Sequence, residues 1–129
     1  MQKEITVVLY GYRVARPDWS PEVDMETLAE FVGELHVELN NFGITVTCIR
    51  EPDNILEING YADLLNTVRL RSLGDQIGNL CLGHIIGQSA NCDLREDIRR
   101  GVCRVAFAPE MIEPEGSHKA VCHNCGCGC

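Results

Sequence analysis

Two hydrophobic periods alternate along the first fifty residues. Ile5-Thr6-Val7-Val8-Leu9-Tyr10 is a nearly continuous apolar, β-branched run closed by Gly11, the pattern of a strand buried on both faces of a sheet. Leu28, Phe31, Val32, Leu35, Leu39 and Phe42 then recur at steps of three and four residues, which predicts one long amphipathic helix. Asp24 supplies its N-cap and Gly43 its C-terminal stop. Ile44, Val46 and Cys48 alternate with Thr45, Thr47 and Ile49, so a second strand follows and residues 5–49 read as a βαβ unit.

Beyond that unit the pattern predicts a strand at Ile55-Leu56-Glu57-Ile58 and a type I′ hairpin turn at Asn59-Gly60, since both residues tolerate positive φ. Leu73, Ile77, Leu80 and His84 keep helical spacing, but Gly74, Gly78, Gly83 and Gly87 interrupt it. Each glycine costs about 1 kcal/mol against alanine inside a helix, so residues 61–87 are expected to be short or broken helix with loops. Asp93-Leu94-Arg95-Glu96 begins like a capped helix that should end at Gly101. Val102 to Ala108 then alternates and predicts a strand. Residues 113–117, Glu-Pro-Glu-Gly-Ser, read as a linker. The expected organisation is an α/β domain over residues 1–112, a central mixed four-stranded sheet flanked by helices, followed by a flexible tail over 113–129.

A length of 129 residues suits one domain. The balance of 19 acidic against 11 basic residues, a formal charge of −8, argues against nucleic acid as a partner, because no basic stretch could follow a phosphate backbone. Apolar runs are strand-sized, far short of the roughly 20 residues that span a bilayer, so neither a membrane span nor a signal peptide is expected. The expected compartment is the cytoplasm. Eight cysteines would there be mostly reduced, which favours metal ligation, redox chemistry or plain burial over structural disulfides.

The tail carries the sharpest chemistry. Cys122, Cys125, Cys127 and Cys129 place four thiols beside His123 within the last eight residues, which hold no apolar side chain able to pack, and His118 lies just upstream. Thiolate and imidazole select thiophilic ions such as zinc or copper(I). Gly126 and Gly128 let a backbone whose successive side chains would otherwise point to opposite sides bring neighbouring thiols around one ion. Tetrahedral wrapping by so short a segment would still be strained, so two or three tail thiolates per ion are expected. The remaining donors would come from His123, His118, a body cysteine or a second chain. Ferredoxin-type spacing is not matched.

Cys81, His84, Cys92 and Cys103 form a second candidate thiol set, weighed against ordinary burial of cysteine and of a histidine on an apolar stripe. Cys48 reads as a core residue, His36 as solvated, and Arg13 and Arg16 as solvated loop cations. No phosphate-cradling glycine loop, His-Glu-x-x-His, nucleophile elbow or usefully spaced carboxylate pair occurs, so an enzyme is not supported.

The order strand, long helix, strand, then Ile58-Asn59-Gly60 and a later Cys103-Arg104-Val105-Ala106 segment, resembles the thioredoxin and glutaredoxin-like fold. It is most similar to an uncharacterised thioredoxin-like family of microbial proteins. The resemblance implies a thioredoxin-like scaffold over about residues 5–112. The redox members carry Cys-x-x-Cys after the first strand, where a helix N-terminus lowers the thiol pKa. Here Gly11 to Ser20 contains no cysteine, so the usual thiol-disulfide catalysis is not expected at that place. The function expected is binding of a soft metal ion for transfer, storage or sensing, with a metal donor or acceptor protein as partner and self-association compatible with it. A thiol-disulfide or sulfur carrier acting through the tail is the alternative, and a non-catalytic interaction or assembly module is a third.

Overall fold

The computed structural model describes residues 3–21, 23–87, 89 and 91–112. Strand β1 (Lys3–Val14) leads through a loop to helix α1 (Met25–Asn40), strand β2 (Ile44–Ile58) and the short helix α2 (Tyr61–Leu64). Strands β3 (Val68–Ser72) and β4 (Ile77–Cys81), helix α3 (Leu82–Ile86) and helix α4 (Leu94–Phe107) follow. Single 3₁₀ turns at Leu65–Thr67, Leu73–Asp75 and Pro109–Met111 join or end elements. The protein is α/β, with a mixed open sheet in the order β2-β1-β3-β4. β1 runs parallel to β2 and antiparallel to β3, and β3 runs antiparallel to β4.

The βαβ unit forms as its pattern predicts. Asp24 caps α1, its carboxylate accepting from the Thr27 N–H at 2.7 Å, and Leu28, Val32, Leu35 and Leu39 are buried. Gly43, at φ 76°, makes the left-handed turn into β2 that glycine takes without steric cost. Ile5, Val7 and Leu9 of β1 lie beside Val46, Cys48 and Arg50 of β2, and the first five join α1 in one core, Cys48 half-buried. Across the sheet, Leu70 and Val68 pair with Val7 and Leu9, and α4 packs on β1 and β3. Glu38 of α1 and Arg99 of α4 close the seam between the two helices at 2.8 Å. Both helices therefore cover one face of the sheet. Thr6, Thr47, Ile49, Glu51, Arg69 and Arg71 occupy the other, by register.

Strands β1 and β2 extend further than the apolar runs alone suggest. Pairing shifts between Tyr10↔Glu51 and Gly11↔Ile55, so Pro52, Asp53 and Asn54 bulge outward. A Cβ at Gly11 would stand 2.4 Å from the Pro52 carbonyl oxygen, which explains the glycine there as a site of close backbone approach. His36, expected to be solvated, instead accepts the Val46 N–H at Nδ1, 3.1 Å away. It thereby satisfies a backbone donor on the outer edge of β2.

Three other expectations are corrected. Asn59-Gly60 is not a hairpin turn. It opens α2, with the Asn59 N–H donating to Asp63 Oδ2 at 2.9 Å. Residues 61–87, expected to be short or broken helix with loops, do hold the short helices α2 and α3, but the β3–β4 hairpin lies between them where no strand was expected. Val68 and Leu70 face inward, the glycine-containing turn at Leu73–Asp75 reverses the chain, and Gln76 takes φ 62°. Leu73, assigned to a helical stripe, is an exposed tip residue. Finally, Val102 to Ala108 is not a strand: α4 runs through Gly101 to Phe107. Leu94, Ile98, Val102 and Val105 form one buried helical stripe. Gly101 stays inside the helix because a side chain there would collide with Leu82 of α3.

Candidate functional site

The loop after β1, the residues entering α2 and the start of α4 converge at the carboxyl end of β1, the end of an α/β sheet where loops bring binding groups together. They enclose a cleft of about 620 Å³ with Trp19, Val23, Tyr61, Leu64, Cys92 and Arg95 among its walls. Leu64 and Leu94 are buried beneath it.

Cys92 stands at its edge in an exposed position with φ 53°, and its N–H donates to Ser89 Oγ at 2.9 Å. The next residue, Asp93, caps α4 by accepting from the N–H groups of Arg95 and Glu96 at 3.1 and 3.4 Å. Asn91 donates to Glu96 Oε2 at 3.1 Å. Local side-chain-to-backbone bonds of this kind fix a loop where no ladder is available.

Behind the cleft, the Tyr61 hydroxyl donates to Asp97 Oδ2, and Arg100 Nη1 lies 3.2 Å from Asp97 Oδ1. The Asp97 side chain is 2 % exposed, so a carboxylate there requires such partners to offset lost hydration. The Tyr61 phenol is pushed far above its ordinary value, first by burial and then by its bond to Asp97. It keeps its proton across the physiological range and acts as a donor. The cluster ties α2 to α4 and sets the wall of the cleft.

The four described cysteines differ in what their surroundings allow. Cys81 is fully buried where β4 meets α3. Cys48 and Cys103 are half-buried, and burial pushes both thiols up against the opposing effects of Arg50 and Arg99 respectively. Cys92 alone among the described cysteines is exposed.

The second candidate thiol set is drawn from β4, α3, the approach to α4 and α4 itself. Cys103 lies within α4 near Arg99 and Glu38, roughly 13 Å along the helix from Leu94 at about 1.5 Å per residue, whereas Cys92 precedes the helix. His84 is buried in α3. Among the described residues no three His, Cys, Asp or Glu side chains converge to hold a metal ion. Cys122, His123, Cys125, Cys127, Cys129 and His118 lie outside the described residues. No helix among the described residues is long and apolar enough to cross a membrane.

A second hollow, about 690 Å³, opens at the opposite end of the sheet between Lys3, Ile49, Arg71 and Leu73. Its cations are already engaged, Lys3 with Asp75 at 3.0 Å and Arg71 with Glu51 at 3.7 Å. Sequence reasoning missed the Tyr61–Asp97–Arg100 cluster. The three-residue spacing of Asp97 and Arg100 was legible on a helix, but Tyr61 joins them only through tertiary packing.

No protein-family model, curated protein or solved structure matches the chain.

Proposed function

We propose that the protein is a soft-metal-binding protein in which a thioredoxin-like domain carries a thiolate tail for metal transfer, storage or sensing. One observation carries the reading: Cys122, Cys125, Cys127 and Cys129 fall within eight residues, spaced by Gly126 and Gly128 and accompanied by His123 and His118. That donor set suits zinc or copper(I) and offers hard cations little. The strand order β2-β1-β3-β4, with a parallel βαβ unit followed by an antiparallel hairpin and a helix, supports the thioredoxin-like description of the domain. The metal donor or acceptor would be another protein, in the cytoplasm, exchanging the ion between thiolates.

Exposure of Cys92 beside an aromatic-walled cleft favours a second reading, a thiol-disulfide or sulfur carrier in which a tail thiol exchanges with a body thiol. Among the cysteines of the second candidate thiol set, Cys81 is sealed in the core and Cys103 is held toward the unreactive thiol form, leaving Cys92 the best placed.

Anaerobic native mass spectrometry with elemental analysis, on the full chain and on a form truncated after Ala120, separates the readings. Stoichiometric metal confined to the full chain is the expected result. A metal-free chain whose tail thiols cycle reversibly through mixed disulfides would replace the first reading with the second. Metal bound only in a complex with another protein would make the chain an assembly module.

A further inference from the structure

Exposed apolar side chains collect at the end of the sheet opposite the cleft. Phe42, just past α1, and Phe107, at the end of α4, meet edge to face at 5.7 Å between ring centroids, yet remain 66 % and 55 % exposed. Met111, on the following 3₁₀ turn, is 72 % exposed, and Leu73 at the β3–β4 tip is 81 % exposed. Lys3 binds these elements into one surface. Its N–H donates to the Gly43 carbonyl at 3.1 Å. Its ammonium donates to the carbonyls of Val105 and Ala106 at the end of α4 and pairs with Asp75 on the hairpin. An aromatic pair with Met and Leu on a rigid platform has the composition that marks an interface core.

The position of this surface indicates what covers it. The described chain ends at Ile112, one residue beyond Met111, and residues 113–129 are joined to it there. Nine residues lie between Ile112 and Cys122, so the reach from one to the other is at most about 35 Å. Two copies meeting through Phe42, Phe107 and Met111 would start their tails close together, well inside that reach. Four thiols in eight residues wrap one tetrahedral ion only with strain, and two chains giving two thiolates each remove it.

We propose that this end docks a second copy of the chain and that the paired tails share their metal ions. The shared metal rests on the proposed function above; the docking rests on the apolar surface and on its place beside the end of the described chain. Contact between identical aromatic patches is isologous, so it closes as a dimer.

The test is sedimentation velocity and native mass spectrometry on the full, reduced chain with zinc ions titrated as the probe. The forms compared are wild type, Phe107→Glu, Met111→Glu, and a form with Cys122, Cys125, Cys127 and Cys129 all changed to Ser. The expected result is a wild-type dimer whose dissociation constant rises at least tenfold in either glutamate variant, with zinc held less tightly per chain. Circular dichroism checks that each variant is folded, and Met111→Glu, on a terminal turn, serves if Phe107→Glu is not. The serine form should still dimerise without zinc. A wild type that is monomeric with and without zinc, or a dimer that neither glutamate weakens, overturns the docking. Zinc bound stoichiometrically by a monomer overturns this inference and leaves the proposed function standing. A Phe107-dependent dimer that takes up no zinc does the reverse, keeping the docking and removing the shared metal.

Discussion

Gly101 of α4 lies against Leu82 of α3 so closely that an added Cβ would stand 2.4 Å from Leu82 Cδ1. Leu82 is fully buried, with Leu70 and Ile86 also lining the gap, so its methyl group has little room to retreat. Gly101→Ala gains about 1 kcal/mol of helix propensity and loses about 1–3 kcal/mol to overpacking. A net destabilisation of about 1 kcal/mol is expected in urea unfolding. Leu82→Ala alone should cost about 2–4 kcal/mol. The double variant should be more stable than the sum of the two changes predicts, because the alanine at 101 then fills space instead of colliding.

Lys3 holds the far end of the molecule together, and its loss should register as pH-dependent stability. Burial raises the Asp75 carboxyl, but bonds from the Ser72 hydroxyl and the Lys3 ammonium outweigh it and leave the group below its ordinary value. A lowered native value contributes stability above the unfolded carboxylate range near 4, lost as pH falls through the native value. Lys3→Met should cost about 1–2 kcal/mol at pH 7, because it also strips the α4 carbonyls of their cation. It should flatten the decline in stability between about pH 5 and pH 2. An acid limb as steep as that of wild type would show that the pair contributes nothing.

Tyr61 predicts the opposite limb. Its phenol is raised far above 10 by burial and by Asp97. A raised native value gives stability that is complete below the ordinary tyrosine range and drains away as pH climbs through it. Ultraviolet titration should find a tyrosine that ionises only as the chain unfolds, and Tyr61→Phe should abolish that phase. At pH 7 the same change should cost about 1–2 kcal/mol, since Asp97 loses a donor.

Cysteine labelling should rank the described thiols by exposure. Brief iodoacetamide treatment of the folded chain, followed by peptide mass spectrometry, should modify Cys92 first. Cys48 and Cys103 should follow slowly because burial keeps them in the thiol form, and Cys81 should react only on unfolding. Labelling of Cys81 at the rate of Cys92 would contradict the burial of β4 against α3.

Local pattern was a sound guide where one element buries one stripe. The α1 stripe from Leu28 to Leu39 and the Asp24 cap were readable because both depend on residues within a turn or two of each other. It misled at Val102–Ala108, where seven alternating residues satisfy a strand and also fit the inner face of a helix already started at Leu94. Gly101 looked like a stop, since its reason for being glycine, Leu82, lies nineteen residues back in the chain. The β3–β4 hairpin was hidden for a similar reason. Arg69 and Arg71 break the apolar run, and only pairing with β1 and β4 reveals Val68 and Leu70 as its inward members.

The sequence by itself determined the chemistry on offer: four closely spaced thiols and two imidazoles near the end of an acidic chain, and a βαβ unit to begin it. Ligand type and helical period are properties of neighbouring residues, so they can be read in order. Which body residues meet was decided by tertiary structure. Packing left no three of the described His, Cys, Asp and Glu side chains converging on a metal ion, brought Tyr61 to Asp97, and left Phe42 and Phe107 together, because contacts between distant segments depend on how the helices lie across the sheet.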